Sequence, residues 1–188
     1  MNETLALYPA ITRVVFTEDA IAARVRELGR EISEFYAPEE ELLVIGLLKG
    51  ALVFTADLVR AMDRRLLRLD FLTAALYGPG TDPGREVEIL QDAGTSVAGR
   101  HVLVVEDVVD SGKTLSRIGD MLSSRSPRSL EVVAMLHKRI ARGLRYEPKW
   151  VGFDAPSDWL VGYGLDLGER YRHLPFVAAV APEGERGT

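Results

Sequence analysis

The stretch HVLVVEDVVDSGKTLSRIGDMLSS, residues 101–124, decides the fold. Four apolar residues, 102–105, run without alternation into Glu106 and Asp107. A short continuous apolar run marks a strand covered on both faces. VVDSGK is a polar turn, after which Leu115, Ile118, Met121 and Leu122 fall on one side of a helix. SPRS makes the next turn, and SLEVVAMLHK, 129–138, reads as a second buried strand. Strand, helix and strand in succession give a parallel sheet with right-handed crossovers, hence an α/β fold.

The same unit appears upstream. LLVIGLL, 42–48, is another continuous run, and KGALVFTADLVRAM turns from it into a helix. Before it, TEDAIAARVRELGREISEFY, 17–36, sets Ile21, Val25, Leu28, Ile32 and Phe35 on one helix face. Thr17 is the expected N-cap, with Glu18 and Asp19 in the first turn, where they suit the helix dipole. RLDFLTAALY, 68–77, reads as a strand able to form a hairpin with VEIL across YGPGTDPGRE, 77–86, whose three Gly and two Pro predict a mobile loop. The C-terminal third alternates short strands with turns and holds Tyr146, Trp150, Phe153, Trp159, Tyr163, Tyr171 and Phe176. Trp150 is expected in the core, and the tail APEGERGT is expected to be disordered.

The 188 residues, 47% apolar and 27% charged, suit one domain with a core large enough to need no staple. With no cysteine, thiol catalysis, Cys-based zinc sites, iron–sulfur clusters and a disulfide framework are excluded. His101, His137 and His173 stand 36 residues apart each time, which suits no local metal site. MNETLALYPAITRVVF has no basic segment followed by an apolar stretch, and no run approaches the roughly 18 apolar residues of a membrane span. These features predict a soluble, cytoplasmic protein with no membrane partner. The net charge of −5 argues against a nucleic-acid partner, which clustered Lys and Arg would grip. Only four of the 23 basic residues are lysine: Lys49, Lys113, Lys138 and Lys149. Where Arg is the default cation, a compact ammonium calls for a reason.

Ligands of open parallel sheets bind at the carboxyl ends of strands, where loops meet helix N-termini. The turn after 101–107 has that position. Gly112 lets successive N–H groups face one anion, and Ser111 and Thr114 add hydroxyls, which makes a phosphate nest. Glu106 and Asp107 suit ribose hydroxyls or a metal. GKT at 112–114 is no P-loop, because that motif needs Gly where Asp107 stands, and three acids within five residues would repel a triphosphate.

EDVVDSGKT, 106–114, resembles the signature of the type I phosphoribosyltransferases, which bind 5-phosphoribosyl 1-pyrophosphate (PRPP). LLKGALVFTADL (47–58), DFLTAALYG (70–78), HKR (137–139) and VGFDAPSDWLVGYGLDLGERYRHLPFV (151–177) are similar to segments of the hypoxanthine-guanine phosphoribosyltransferases. The resemblance covers nearly everything from 15 to 180 in order, and implies one domain with a core over about 37–145 and a hood from about 1–16 and 146–180, leaving 181–188 as the tail.

The resemblance implies a role for each matching residue. Asp110, Ser111, Gly112, Lys113 and Thr114 hold the 5'-phosphate, and Glu106 and Asp107 the ribose hydroxyls. Lys49, Gly50 and Arg172 face the pyrophosphate, with Arg170 as the neighbouring alternative to Arg172. Lys138 donates to the purine 6-oxo group, Trp159 stacks on the base, and carbonyls near Leu160 and Asp166 accept the guanine 2-amino group. Taken alone, the Lys49–Gly50 pair is an ordinary strand-to-helix turn, Lys138 a solvated strand end and Trp159 a core residue. Mg²⁺ is the implied cofactor, held by Asp166 with Glu106 and Asp107.

The implied reaction is purine salvage, with an oxopurine attacking PRPP through N9. Asp110 accepts the N7 proton, a general-base effect of about 10²- to 10⁴-fold. The loop beginning at Tyr77 and Gly78 closes over the site, and Leu76 stands where the family usually has Ser. A homodimer or homotetramer is implied. A preference for xanthine is the near alternative. A PRPP-sensing nucleic-acid-binding regulator is the distant one, opposed by the acidic balance and by the presence of Asp110, Lys138 and Trp159.

Overall fold

The structure is a computed structural model that describes residues 7–77, 86–139 and 143–181. In chain order the elements are β1 (Ile11–Phe16), α1 (Glu18–Phe35), β2 (Leu42–Leu48), α2 (Leu52–Ala61), β3 (Leu67–Tyr77), β4 (Glu86–Gln91), β5 (His101–Val109), α3 (Lys113–Ser123), β6 (Ser129–His137), β7 (Trp150–Asp154), β8 (Trp159–Val161) and β9 (Val177–Val180). Six strands form the main sheet in the order β4-β3-β2-β5-β6-β7. Neighbours are parallel except β3 and β4, which form the expected antiparallel hairpin. The connections leave β2 toward β3 and leave β5 toward β6, so the order reverses between β2 and β5. The carboxyl ends of these two strands flank the crevice where such sheets bind ligands.

The apolar runs are buried on both faces. Leu42 and Val44 pack with Leu103 and Val105 on the side covered by α1 and α2, while Leu43 and Ile45 pack with Val102 and Val104 on the side of α3. Ile21, Val25, Leu28 and Ile32 supply the buried face of α1. Leu28, Ile32, Phe54 and Leu58 are fully covered, each worth about 1.5–3 kcal/mol of burial. Thr17 caps α1 by accepting the Ala20 N–H at 3.3 Å. Phe35 departs from the expected face. It is 48% exposed at the helix end, edge-on to Trp150, with the Lys149 ammonium 3.8 Å over its ring.

The C-terminal end of α1 has no basic residue in its last turn, and Arg64 supplies the missing donors from another element. Its guanidinium donates to the carbonyls of Ser33, Tyr36, Ala37 and Glu40 at 2.6–3.3 Å. The carbonyls of Ser33 and Tyr36 are among those that a helix end leaves without intrahelical partners, and Ala37 and Glu40 belong to the turn that follows.

β1, β9 and β8 form a second sheet of three strands over the carboxyl end of the first. It is the expected hood, with two changes of boundary. β7, assigned to the hood from sequence, pairs with β6 at the edge of the main sheet, because Trp150 belongs to the core beside Val133 and Met135. Ala181, assigned to the tail, donates its N–H to the Ala10 carbonyl at 3.2 Å and so continues the pairing of β9 with β1. Residues 182–188 and 1–6 lie outside the described residues, as do 78–85, which hold Gly78 and most of the expected closing loop. The side chains of Leu76 and Tyr77 also lie outside them. Tyr163 ties the hood to the core by donating its hydroxyl to Asp57 of α2 at 2.9 Å.

Candidate active site

The loop after β5 enters α3 through Gly112, whose backbone is left-handed at φ 74°. That conformation favours glycine, and a Cβ there would also displace the tip of the Leu144 side chain. The turn lines a cavity of about 570 Å³ together with Glu106, Asp107 and Asp110 on one side and Leu47, Leu48, Ala74 and Ala75 on the other. Ser111, Gly112, Lys113 and Thr114 all face it, with the first N–H groups of α3 at its floor.

A second cavity of about 250 Å³ adjoins the first. Asp107, Val108, Asp110 and Asp166 line both. The second is completed by Lys138 from the end of β6 and by Trp159, Leu160 and Leu165 from the hood. The Lys138 Nζ lies 3.3 Å from Asp110 Oδ2, with the Lys side chain only 14% exposed. Trp159 is 59% exposed at the mouth, and its indole N–H points to the Asp166 carbonyl at 3.4 Å. Trp159 is thus not the core residue that an isolated Trp most often is, whereas Trp150 is buried as expected.

Glu106 is buried and Asp107 half-buried beside it. Burial, then the Asp107 charge, pushes the Glu106 carboxyl well above its ordinary range. Burial raises Asp107 as well, against the pull of its hydrogen bond with Glu106 and of the Val108 N–H that it accepts at 2.7 Å. Two adjacent carboxyls removed from water favour a proton or a cation between them.

Lys49 and Gly50 follow β2, and the Leu48–Lys49 peptide is cis. Gly50 lies against Asp107, and its carbonyl lies where a Cβ of Gly164 would stand. Arg172 reaches the same region from the hood, donating to the Gly164 carbonyl at 2.8 Å and pairing with Asp166 Oδ1 at 2.9 Å. Arg170, the neighbouring alternative, donates its backbone N–H to the Leu167 carbonyl and lines a surface depression together with Tyr8, Glu169, Arg172 and His173. Glu169 sits between Lys49 and Arg172 and pairs with both. The sequence reading missed Glu169, and no motif marks it. Leu165, Ala74 and Ala75 were also missed, because apolar lining residues look like any other core position.

Among the described residues, no three acidic or histidine side chains converge into a ready metal site. Mg²⁺ needs no such cage, since it is usually held by one or two carboxylates plus substrate oxygens. The adjacent pair Glu106–Asp107, with Asp166 on the shared wall, is a hard-oxygen donor set of that kind.

Residues 15–167 match the family described as the phosphoribosyl transferase domain, the class that this sheet, glycine turn and pair of joined cavities define. The hypoxanthine-guanine phosphoribosyltransferase of Mycobacterium avium is 46% identical over 182 residues, covering 94% of this chain and 89% of its own length. The crystal structure of a hypoxanthine phosphoribosyltransferase from Staphylococcus aureus superposes with a TM-score of 0.88 at 36% identity, covering 97% of this chain and 98% of that one. The bifunctional protein TilS/HprT of Listeria monocytogenes is 42% identical over 178 residues, and this chain spans 27% of its length. The chain belongs to the phosphoribosyl transferase family, among the hypoxanthine-guanine phosphoribosyltransferases.

Proposed function

We propose that the protein is a purine-salvage enzyme that transfers the 5-phosphoribosyl group of PRPP to N9 of hypoxanthine and guanine, giving IMP and GMP with release of pyrophosphate. The observation that carries this reading is the wall shared by the two cavities, where Asp107, Asp110 and Asp166 stand between the phosphate turn and the Lys138–Trp159 recess. A sugar phosphate in the larger cavity and a flat base in the smaller would meet at that wall.

The phosphate turn holds the 5'-phosphate through backbone N–H groups and the Ser111 and Thr114 hydroxyls. Asp107 and Glu106 accept the ribose hydroxyls and orient C1' toward the recess. The base enters with one face on Trp159, a contact worth about 1–3 kcal/mol for a nucleobase. Lys138 donates to the 6-oxo oxygen, which adenine lacks. As the N9–C1' bond forms and the C1'–oxygen bond breaks, the bonding pair leaves with pyrophosphate. Asp110 takes the N7 proton. Lys49, the Gly50 N–H and Arg172 stabilise the charge gathering on the leaving group. Glu106, Asp107 and Asp166 would hold Mg²⁺. When bound, the cation supplies charge neutralisation for the departing pyrophosphate.

The same reading includes a cytoplasmic location and a homodimer or homotetramer. The test is product formation from PRPP and Mg²⁺ with hypoxanthine, guanine, xanthine and adenine offered separately. Turnover of hypoxanthine and guanine is expected, and turnover of adenine alone would overturn the role of Lys138. Dominant turnover of xanthine would replace the proposed base preference while keeping the chemistry.

A further inference from the structure

The two cations assigned to pyrophosphate share one internal carboxylate. Glu169 Oε2 lies 3.1 Å from Lys49 Nζ and 3.3 Å from Arg172 Nη2. Lys49 and Glu169 are 120 positions apart in the chain, so only the closing of the hood over β2 brings them together. Glu169 is held in place by a left-handed turn, φ 64°, in which its own N–H is donated to Asp166 Oδ2 at 2.9 Å. Lys49 first and Arg172 second keep its carboxyl below the ordinary range.

We propose that Glu169 is a built-in counter-ion that competes with the pyrophosphate group for Lys49 and Arg172. The side chains of Lys49 and Glu169 are 63% and 65% exposed, and an ion pair so open to water is weak and readily exchanged. Arg172 is anchored independently by the Gly164 carbonyl and the Asp166 carboxylate, so it stays in position when Glu169 leaves it. A diphosphate brings several charged oxygens to the same donors and displaces a single carboxylate. Glu169 then returns as the product departs, which speeds release and keeps the two cations aligned for the next substrate. The residue is a positioning residue that weakens the grip on pyrophosphate.

This inference rests on reading Lys49 and Arg172 as pyrophosphate ligands, and its test separates the two. Calorimetric titration of the full chain with pyrophosphate and Mg²⁺ is run on the parent, Glu169→Gln, Glu169→Asp, Lys49→Met and Arg172→Gln. Glu169→Gln is expected to tighten binding about three- to tenfold, the equivalent of releasing Lys49 from its exposed pair and Arg172 from one of its two carboxylates. Glu169→Asp, which keeps the charge on a shorter arm, should fall between Gln and the parent. A merely structural role for Glu169 would leave affinity unchanged or lower it, and either result overturns the inference. If Lys49→Met and Arg172→Gln weaken binding while Glu169→Gln matches the parent, the inference fails alone. If both cation variants bind like the parent, the pyrophosphate reading fails and the inference with it.

Discussion

The Asp107 carboxylate occupies the space that a Cβ on Gly50 would need. The turn after β2 and the acidic end of β5 therefore close-pack only because residue 50 has no side chain. This contact makes Gly50 a steric requirement, in addition to its proposed role as an N–H donor to pyrophosphate. Gly50→Ala must push Asp107 or the Gly50 peptide aside, and a displacement of about 1 Å is enough to cost on the order of 10²-fold in rate. We expect kcat/KM for PRPP to fall by that factor while the melting temperature moves little, measured by steady-state kinetics and calorimetry. An unchanged kcat/KM would mean that the turn can yield without disturbing the site.

Asp110→Asn keeps the shape of the shared wall and removes the proposed base. Loss of general-base assistance predicts a kcat lower by about 10²- to 10⁴-fold, with the KM for PRPP within a few fold of the parent. An unchanged kcat would remove Asp110 from the proton transfer.

Lys138→Ala deletes the ammonium that faces the base recess and releases Asp110 from its 3.3 Å partner. A hydrogen bond from a charged donor is worth about 1.5–3 kcal/mol, so the KM for hypoxanthine and guanine should rise by about 10- to 100-fold. Equal KM values in variant and parent would reject the contact with the 6-oxo group.

The hood is fastened by the hydrogen bond from Tyr163 to Asp57, buried enough that the phenol is held well above its ordinary pKa by burial and then by that carboxylate. Tyr163→Phe should cost about 1–2 kcal/mol in urea unfolding. Amide exchange of β8 and β9 should quicken more than that of β2 and β5, because the lost contact joins the hood to the core. Uniform quickening in both sheets would show that the hood does not open separately.

His137 is 1% exposed, and its Nδ1 accepts the Arg139 N–H at 2.9 Å, which requires a neutral ring protonated at Nε2. Burial and then the Arg139 charge lower its pKa from 6.5. Above pH 6.5 both folded and unfolded chains hold the ring neutral, so His137 leaves stability flat there. Below it the unfolded chain takes up a proton that the folded chain still refuses, and stability falls as the pH falls. Urea unfolding between about pH 5 and 7.5 should show this slope in the parent and a shallower one in His137→Gln. Identical slopes would assign the effect to other groups.

Particular residues show how far the sequence reached. The runs 42–48 and 102–105 announce buried parallel strands, because continuous apolar residues have no solvated face to show. Gly112, Asp110 and Glu106–Asp107 lie within seven residues, so local chain geometry alone brings them to one strand–helix junction, and they are legible there. Lys138, Trp159 and Arg172 became legible only through resemblance. As isolated residues they have commoner roles, and nothing local tells which cavity they enter. The placement of β7 was misread because an edge strand with one half-covered face looks like any short strand. Arg64 at the end of α1 and Glu169 between two cations were invisible, since each acts on partners far along the chain.

By itself, then, the sequence determined the α/β class, the glycine turn into α3 and the acids beside it, since hydrophobic period, turn chemistry and short-range spacing act within a few residues. Only the tertiary structure decided that Gly50 yields its side-chain space to Asp107, that Lys138 meets Asp110, and that Glu169 bridges Lys49 and Arg172. Those are contacts of excluded volume and charge between distant segments, and they exist only once the hood has closed over the carboxyl end of the sheet.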